Sequence, residues 1–345
     1  MRSIAFSLFA LLAVACEDVS APPARTAPPP PPPYGYQQYG TAPAPPSYPQ
    51  QPQVAQMPPP APAASSLATP PAAASTRPLL GPLVGPLMWQ AEAQAVLAEL
   101  ESNLSPATRR LVTGIPLVFD PNPNDVNAFA GCNDGGSPFL AGTEGLLEAI
   151  DAISQTKATD ELFGTRTYDA YVSAVAPRLV SSQGGSALLP PNVIPVQFWL
   201  DVRRVSRAHE IFDEIVAFTF GHELAHHYLG HTGCANGQPP GIPPAASDLG
   251  RFVTTVLPGL NQLNENAADQ SGCFNVLDTG RARSGGAFRW TEEGGIRLFD
   301  FFASLDQASG GAPLVSFNRT HPNPLLRTPL VRADALAWHL QHPGA

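Results

Sequence analysis

Residues 211–231 read IFDEIVAFTFGHELAHHYLGH, and the fold turns on how this stretch is read. Its apolar positions recur at helical spacing, and His222, Glu223 and His226 form a His-Glu-x-x-His motif within it. On a helix, residues four apart lie about 40° apart around the axis, so His222 and His226 project side by side and can share one tetrahedral zinc. Glu223 flanks them, where a carboxylate can act as general base toward water at the metal. Two histidines do not fill a zinc site. A third protein ligand is required, with a fourth position left for water in a catalytic centre.

His231 is one candidate for that ligand. A third histidine on the same segment, however, belongs to a motif with glycine at position 229 and histidine at 232, where this chain has Leu229 and Thr232. On a continuing helix His231 would also lie about 180° from His222, and it is set aside. The better candidate is Glu265 in NENAAD, residues 264–269. Glu265 and Asp269 are four apart and share a helical face, so the first can bind metal while the second accepts the ring N–H of a ligand histidine. Ala267 and Ala268 would let this helix pack closely on the first. Alone, Glu265 and Asp269 could equally be a solvated acidic face; beside His-Glu-x-x-His the ligand reading is favoured.

Away from the motif, composition narrows the choices. A net charge of −9 with a single lysine, Lys157, provides no basic patch for nucleic acid or anionic lipid. Arg2, an apolar run over 4–15, and Ala13 and Ala15 just before Cys16 make residues 1–15 an expected signal peptide. The run is too short to span a bilayer, and no later stretch is long and apolar enough. LLAVAC resembles a bacterial lipobox, which implies a lipid anchor on Cys16 and an exported, periplasmic or cell-surface lipoprotein. An Ala-x-Ala site for ordinary secretion is the alternative. Residues 16–86 then form a Pro/Ala-rich linker, expected to be disordered because it buries too little apolar surface to offset its ordering entropy. Residues 87–345 remain for one domain. In an oxidising compartment Cys132, Cys234 and Cys273 are expected to give one disulfide and one free thiol, with the pairing not readable from spacing.

Within that domain the pattern is α+β, mainly α. Apolar periodicity predicts helices over 89–100, from an N-cap at Thr143, around 168–180, over 203–231, at 252–256, over 261–278 and over 292–306, with a last helix closing the chain. Short extended pieces are expected at 115–119 and on either side of the Gly-rich turn near 133–136, and irregular cover runs through Pro195. Trp199, Trp290 and Trp338 read as core, His209 and His227 as surface or packing residues.

GHELAHHYLGH, then NENAAD, then THPNPLLR, with NAFA at 127–130 ahead of them, resembles in order the zinc peptidases of the family containing the CAAX prenyl protease, HtpX and BepA. The resemblance spans about 127–332. It implies a zincin-like (gluzincin) metallopeptidase domain with a small edge β-sheet beside the active-site helix, one zinc per chain and a polypeptide substrate. His222, His226 and Glu265 would be the metal ligands, Glu223 the general base and Asp269 a support to a ligand. His321 would be a catalytic donor to the oxyanion and Arg327 supportive. The substrate backbone would add as a strand along Ser137, Phe139, Leu140 and Ala141, although Pro138 removes one N–H there. The function implied is zinc-dependent hydrolysis of cell-envelope or misfolded proteins. The alternative is a chaperone or scaffold lipoprotein with a structural zinc. A third expectation is that residues 151–205 gate the cleft.

Overall fold

A helix that is apolar on nearly every face has to be buried on nearly every face, and the middle of this chain obeys that rule. In the computed structural model, the described residues are 85–181, 185–235, 262–283, 288–308, 321 and 324–343. The expected signal peptide, Cys16, residues 16–84 of the linker and the helix expected at 252–256 lie outside them. The elements in chain order are α1 (Pro86–Asn103), α2 (Pro106–Val112), β1 (Leu117–Asp120), β2 (Ala128–Cys132), β3 (Pro138–Thr143), α3 (Glu144–Phe163), α4 (Thr167–Leu179), α5 (Val196–Trp199) and α6 (Val202–Tyr228). After them come α7 (Gln262–Ala282), α8 (Glu293–Ala308) and α9 (Pro324–Gln341). The described fold is mainly helical with one three-stranded sheet.

Helix α6 is the axis of the domain. It starts at Asp201, whose side chain accepts from Arg203 N, and every residue from Glu214 to His227 is buried. Helices α1, α3, α7 and α8 pack around it. Phe218 of α6 meets Phe299 of α8 edge-on, with ring centroids 5.5 Å apart. Glu214 would be a costly buried acid in the same helix. Burial raises its pKa, but Arg297 pairs with it and Thr291 donates to it through both N and Oγ1. That cluster fixes the start of α8 against α6.

Helices α6 and α7 approach each other closely beside the motif. A Cβ placed on Gly272 would lie 2.8 Å from His222 N and 3.0 Å from its Cα, so only glycine fits there. Ala268, one turn earlier in α7, is fully buried. Gly272 thus lies against Gly221 and the backbone of the histidine-bearing turn.

The sheet departs from expectation. Its order is β1-β3-β2, with β1 parallel and β2 antiparallel to β3. The strand carrying Phe139, Leu140 and Ala141 is thus the centre of the sheet and not its edge. Leu140 is paired with Leu117 on one side and Ala130 on the other, so its backbone has no free side for a substrate strand. Ser137 is the last residue of the β2–β3 turn, where its N–H donates to Asn133 Oδ1 and its carbonyl accepts from Asn133 N. Gly136 supplies the positive φ of 75° that this turn needs. Among the described residues β1 and β2 are each paired on one side only, and β2 is the one beside the site.

Thr143 caps α3 as expected, accepting from Leu146 N at 3.2 Å. Cys132 at the end of β2 is bonded to Cys234 beyond the end of α6, leaving Cys273 free and buried. One disulfide and one free thiol were expected, and this identifies the pair. Trp290 and Trp338 are core, but Trp199 is only half-buried beside the loop at 189–196. Helix α5 is fastened by Arg204, which donates to Phe198 O and Trp199 O. Arg204 is 18 residues before His222, about 27 Å along the helix, so α5 does not cover the motif as a gate would.

Candidate metal centre

Four side chains from two helices and one loop converge at the C-terminal third of α6. His222, His226, Glu265 and His321 are all buried and offer ligand atoms within 4.8 Å of one another. His222 Nε2 is 3.0 Å from His226 Nε2, 3.4 Å from Glu265 Oε2 and 3.3 Å from His321 Nδ1. His226 Nε2 is 3.4 Å from Glu265 Oε1, and His321 Nδ1 is 2.8 Å from Glu265 Oε2. Ligand atoms about 2.1 Å from a tetrahedral zinc stand roughly 3.4 Å apart, close to most of these separations. The histidine pair and Glu265 come together as the spacing of the two motifs requires.

The supporting groups fix which ring nitrogen faces the cluster. His222 Nδ1 lies 2.9 Å from Asp269 Oδ1, so that N–H is held by the carboxylate and Nε2 turns inward. Asp269 is gripped in turn by Arg327, with Nε to Oδ2 at 2.8 Å and Nη2 to Oδ1 at 2.6 Å. Both residues are fully buried. Asp269, expected to take the ring N–H of a ligand histidine, lies against His222 Nδ1, and Arg327 stands behind it.

His226 is turned the same way by a residue that had been set aside. Helix α6 stops at Tyr228, Gly230 takes φ 79°, and the chain folds back so that His231 N donates to His226 O at 2.9 Å. This brings His231 Nδ1 within 2.9 Å of His226 Nδ1. His231 stays outside the ligand group. It does not face away, however, because the helix on which it would have faced away has ended.

His227 was read as a surface or packing residue, and it is fully buried. Its Nε2 donates to Phe139 O of β3 at 2.9 Å, and its Nδ1 accepts from Thr232 Oγ1 at 2.9 Å. Burial pushes its pKa down to about 4, the neutral form that one donor and one acceptor bond require. This residue ties the motif helix to the sheet.

The electrostatics call for a cation. Burial would raise Glu265 and Asp269, yet the imidazoles around Glu265 hold it far below the usual carboxylate range, and Arg327 holds Asp269 at about 2. Burial would lower His222, but hydrogen bonds to Asp269 and Glu265 outweigh it and lift its pKa to about 10. His226 is lowered, chiefly by burial, and so is suited to ligate as a neutral ring. Three carboxyl groups, those of Glu223, Glu265 and Asp269, share this buried volume with the Arg327 guanidinium and a His222 ring held in its charged form. A divalent ion that displaced that ring proton would balance the set.

Glu223 is 1 % exposed, and neither carboxylate oxygen makes a hydrogen bond to another described residue. His321 Nε2 lies 3.3 Å from Glu223 Oε1 and 3.1 Å from Ala128 O of β2. His321 thus bridges the cluster through Nδ1 and reaches both the edge strand and Glu223 through Nε2. It had been expected beside the ligands as a donor, and its Nδ1 stands among them. The fit of a metal to these residues rests on donor spacing and buried charge.

Sequence reading missed His227, His231 and the pair Gly221 and Gly272. The glycines could have been found from the matching small residues four apart in both helices, Gly221 with Ala225 and Ala268 with Gly272. Comparison with protein-family models, curated proteins and solved structures finds no match to this chain.

Proposed function

We propose that this chain is a zinc-dependent endopeptidase of the gluzincin kind, acting on cell-envelope or misfolded polypeptides and held at a membrane by a lipid on Cys16. The observation that carries the reading is Glu223. Its buried carboxylate has no hydrogen bond among the described residues and faces the His321 ring at 3.3 Å, a costly arrangement that a purely structural metal site gives no reason to retain. A catalytic one does, because a general base must keep its lone pairs free for a proton.

His222, His226 and Glu265 would hold the ion, and three such ligands with a carboxylate among them suit zinc. Zinc bound there would supply Lewis acidity toward a scissile carbonyl and make water a better nucleophile near neutral pH. Glu223 would take the proton from the attacking water and deliver it to the leaving amine. His321 Nε2, which lies 3.1 Å from Ala128 O, would turn from that carbonyl to donate to the scissile one, a role worth about 3 kcal/mol in comparable sites. Asp269 and Arg327 would keep His222 in one orientation through the cycle. The substrate backbone would add to β2, whose outer edge, unpaired by any described strand, runs past His321 at Ala128, in place of the β3 residues expected from the sequence.

A second reading has its own observation. His321 Nδ1 occupies a fourth corner of the cluster, as in a closed structural site, and a scaffold or chaperone lipoprotein would need no more. The two readings separate in one experiment on Glu223→Gln. The endopeptidase reading expects metal retained and cleavage of an unfolded labelled protein lost. Cleavage by neither protein, with the metal bound in both, supports the scaffold.

A further inference from the structure

Helix α9 carries its apolar residues on both faces. Arg327, Val331, Ala335 and Trp338 are buried against the domain. Leu326, Leu330, Ala333, Leu336 and Leu340 point the other way, and the four leucines are between 41 % and 75 % exposed. At 100° per residue these five lie within an arc of about 120° that contains no charged side chain. Apolar stripes of this size on a protein surface mark an interface.

The arrangement of the stripe identifies its occupant. Ala333 sits at its centre, Leu330 and Leu336 lie three residues to either side, and Leu326 and Leu340 seven to either side. The stripe therefore reads the same from both ends. A two-fold interface uses one surface patch on both subunits and must be complementary to itself, which an antiparallel pair crossing at a palindromic stripe achieves. In that pair Leu326 meets Leu340 of the second copy. Leu330 and Leu336 lie against the small or compact Ala337 and Pro329 of that copy, so large residues face lesser ones as close packing needs. With a leucine exposing about 180 Å² when free, the stripe and its neighbour Leu325 offer roughly 600 Å² per copy, on the order of 1,200 Å² for the pair and enough for a stable interface.

Charge argues against a membrane as the occupant. The chain has a net charge of −9 and a single lysine, and the exposed arginine beside the stripe, Arg332, is paired with Glu293, far from the rows of basic residues that draw an interfacial helix to lipid. We infer that α9 is the interface of a homodimer, two copies packing antiparallel across Ala333.

The test uses the full chain carrying Cys16→Ser, which removes the expected acylation site. Sedimentation equilibrium at micromolar concentration should give twice the single-chain mass. Ala333→Arg, which sets two guanidinium groups against each other on the two-fold axis, should reduce it to one copy with the unfolding temperature unchanged. Ala333→Cys should form a covalent pair under mild oxidation, whereas Leu200→Cys on a different exposed apolar patch should not. This second readout stands even if Ala333→Arg fails to fold. A single-copy mass for the parent chain, or equal cross-linking at positions 333 and 200, overturns the inference. So does a monomeric parent that floats with neutral phosphatidylcholine vesicles when Leu336→Arg does not, since the stripe would then be a lipid face.

Discussion

Arg327 and Asp269 form a two-point ion pair that is fully buried behind His222, with bonds of 2.6 and 2.8 Å. The pair sets the ring that would bind metal, although neither member belongs to the ligand group. Replacing Arg327 with Met should lower zinc affinity by about 10- to 100-fold, as loss of an orienting group does elsewhere. It should also cost about 3–5 kcal/mol of stability, because the Asp269 carboxylate is left buried without its partner. Competition with a chelating dye and thermal unfolding measure the two effects. Unchanged affinity would mean that His222 is oriented by something else.

Gly272 is where α7 comes closest to the motif turn of α6. Gly272→Ala puts a methyl against the backbone of His222, and the helices must move apart. The expected cost is about 1–3 kcal/mol, as for other overpacked contacts. Because Glu265 and His222 sit on the two separating helices, zinc affinity should fall as well. Gly230→Ala is a useful contrast. Its positive φ strains the turn, yet nothing lies close to the added methyl, and the helix spacing should not change.

His227→Ala removes the donor to Phe139 O and unties α6 from β3. A buried carbonyl left short of a partner costs about 1–3 kcal/mol, so the variant should unfold at a lower temperature and still bind one zinc. Loss of metal with the fold intact would assign His227 to the site itself.

Asp151 gives the stability a pH dependence of known sign. Burial raises its carboxyl to about 8, against smaller opposing effects of Gln155 and Arg204. The folded state therefore holds a proton that the unfolded chain releases near pH 4. The contribution is complete below about pH 4 and is lost as the pH rises through about 8. Asp151→Asn cannot ionise, so its unfolding temperature relative to the parent should rise between pH 5 and pH 9. A constant difference over that range would show that Asp151 is already ionised in the folded protein.

How much could be read from residues alone depended on whether the deciding contacts were local. His222, His226, Glu265 and Asp269 were legible because residues four apart on a helix share a face whatever the rest of the chain does. Thr143 was legible as a cap for the same reason. The rank of β3 in the sheet was not, since β1 must come from 20 residues earlier to cover its second edge, and alternation within a strand carries no sign of that. His231 was misplaced by extending the helical wheel through Gly230, where the backbone turns left-handed. His321 could be tied to the centre only by resemblance, because a residue nearly 100 positions from the motif reaches it through tertiary packing.

The central claim is that Glu223 acts on water at a metal held by His222, His226 and Glu265. The most direct measurement is the rate of hydrolysis of an unfolded, fluorescently labelled protein by the parent chain and by Glu223→Gln, with zinc content determined on the same samples. The expected result is one zinc per chain in both and cleavage only by the parent, with the variant slower by at least about 100-fold. Equal rates at equal zinc content would contradict the account.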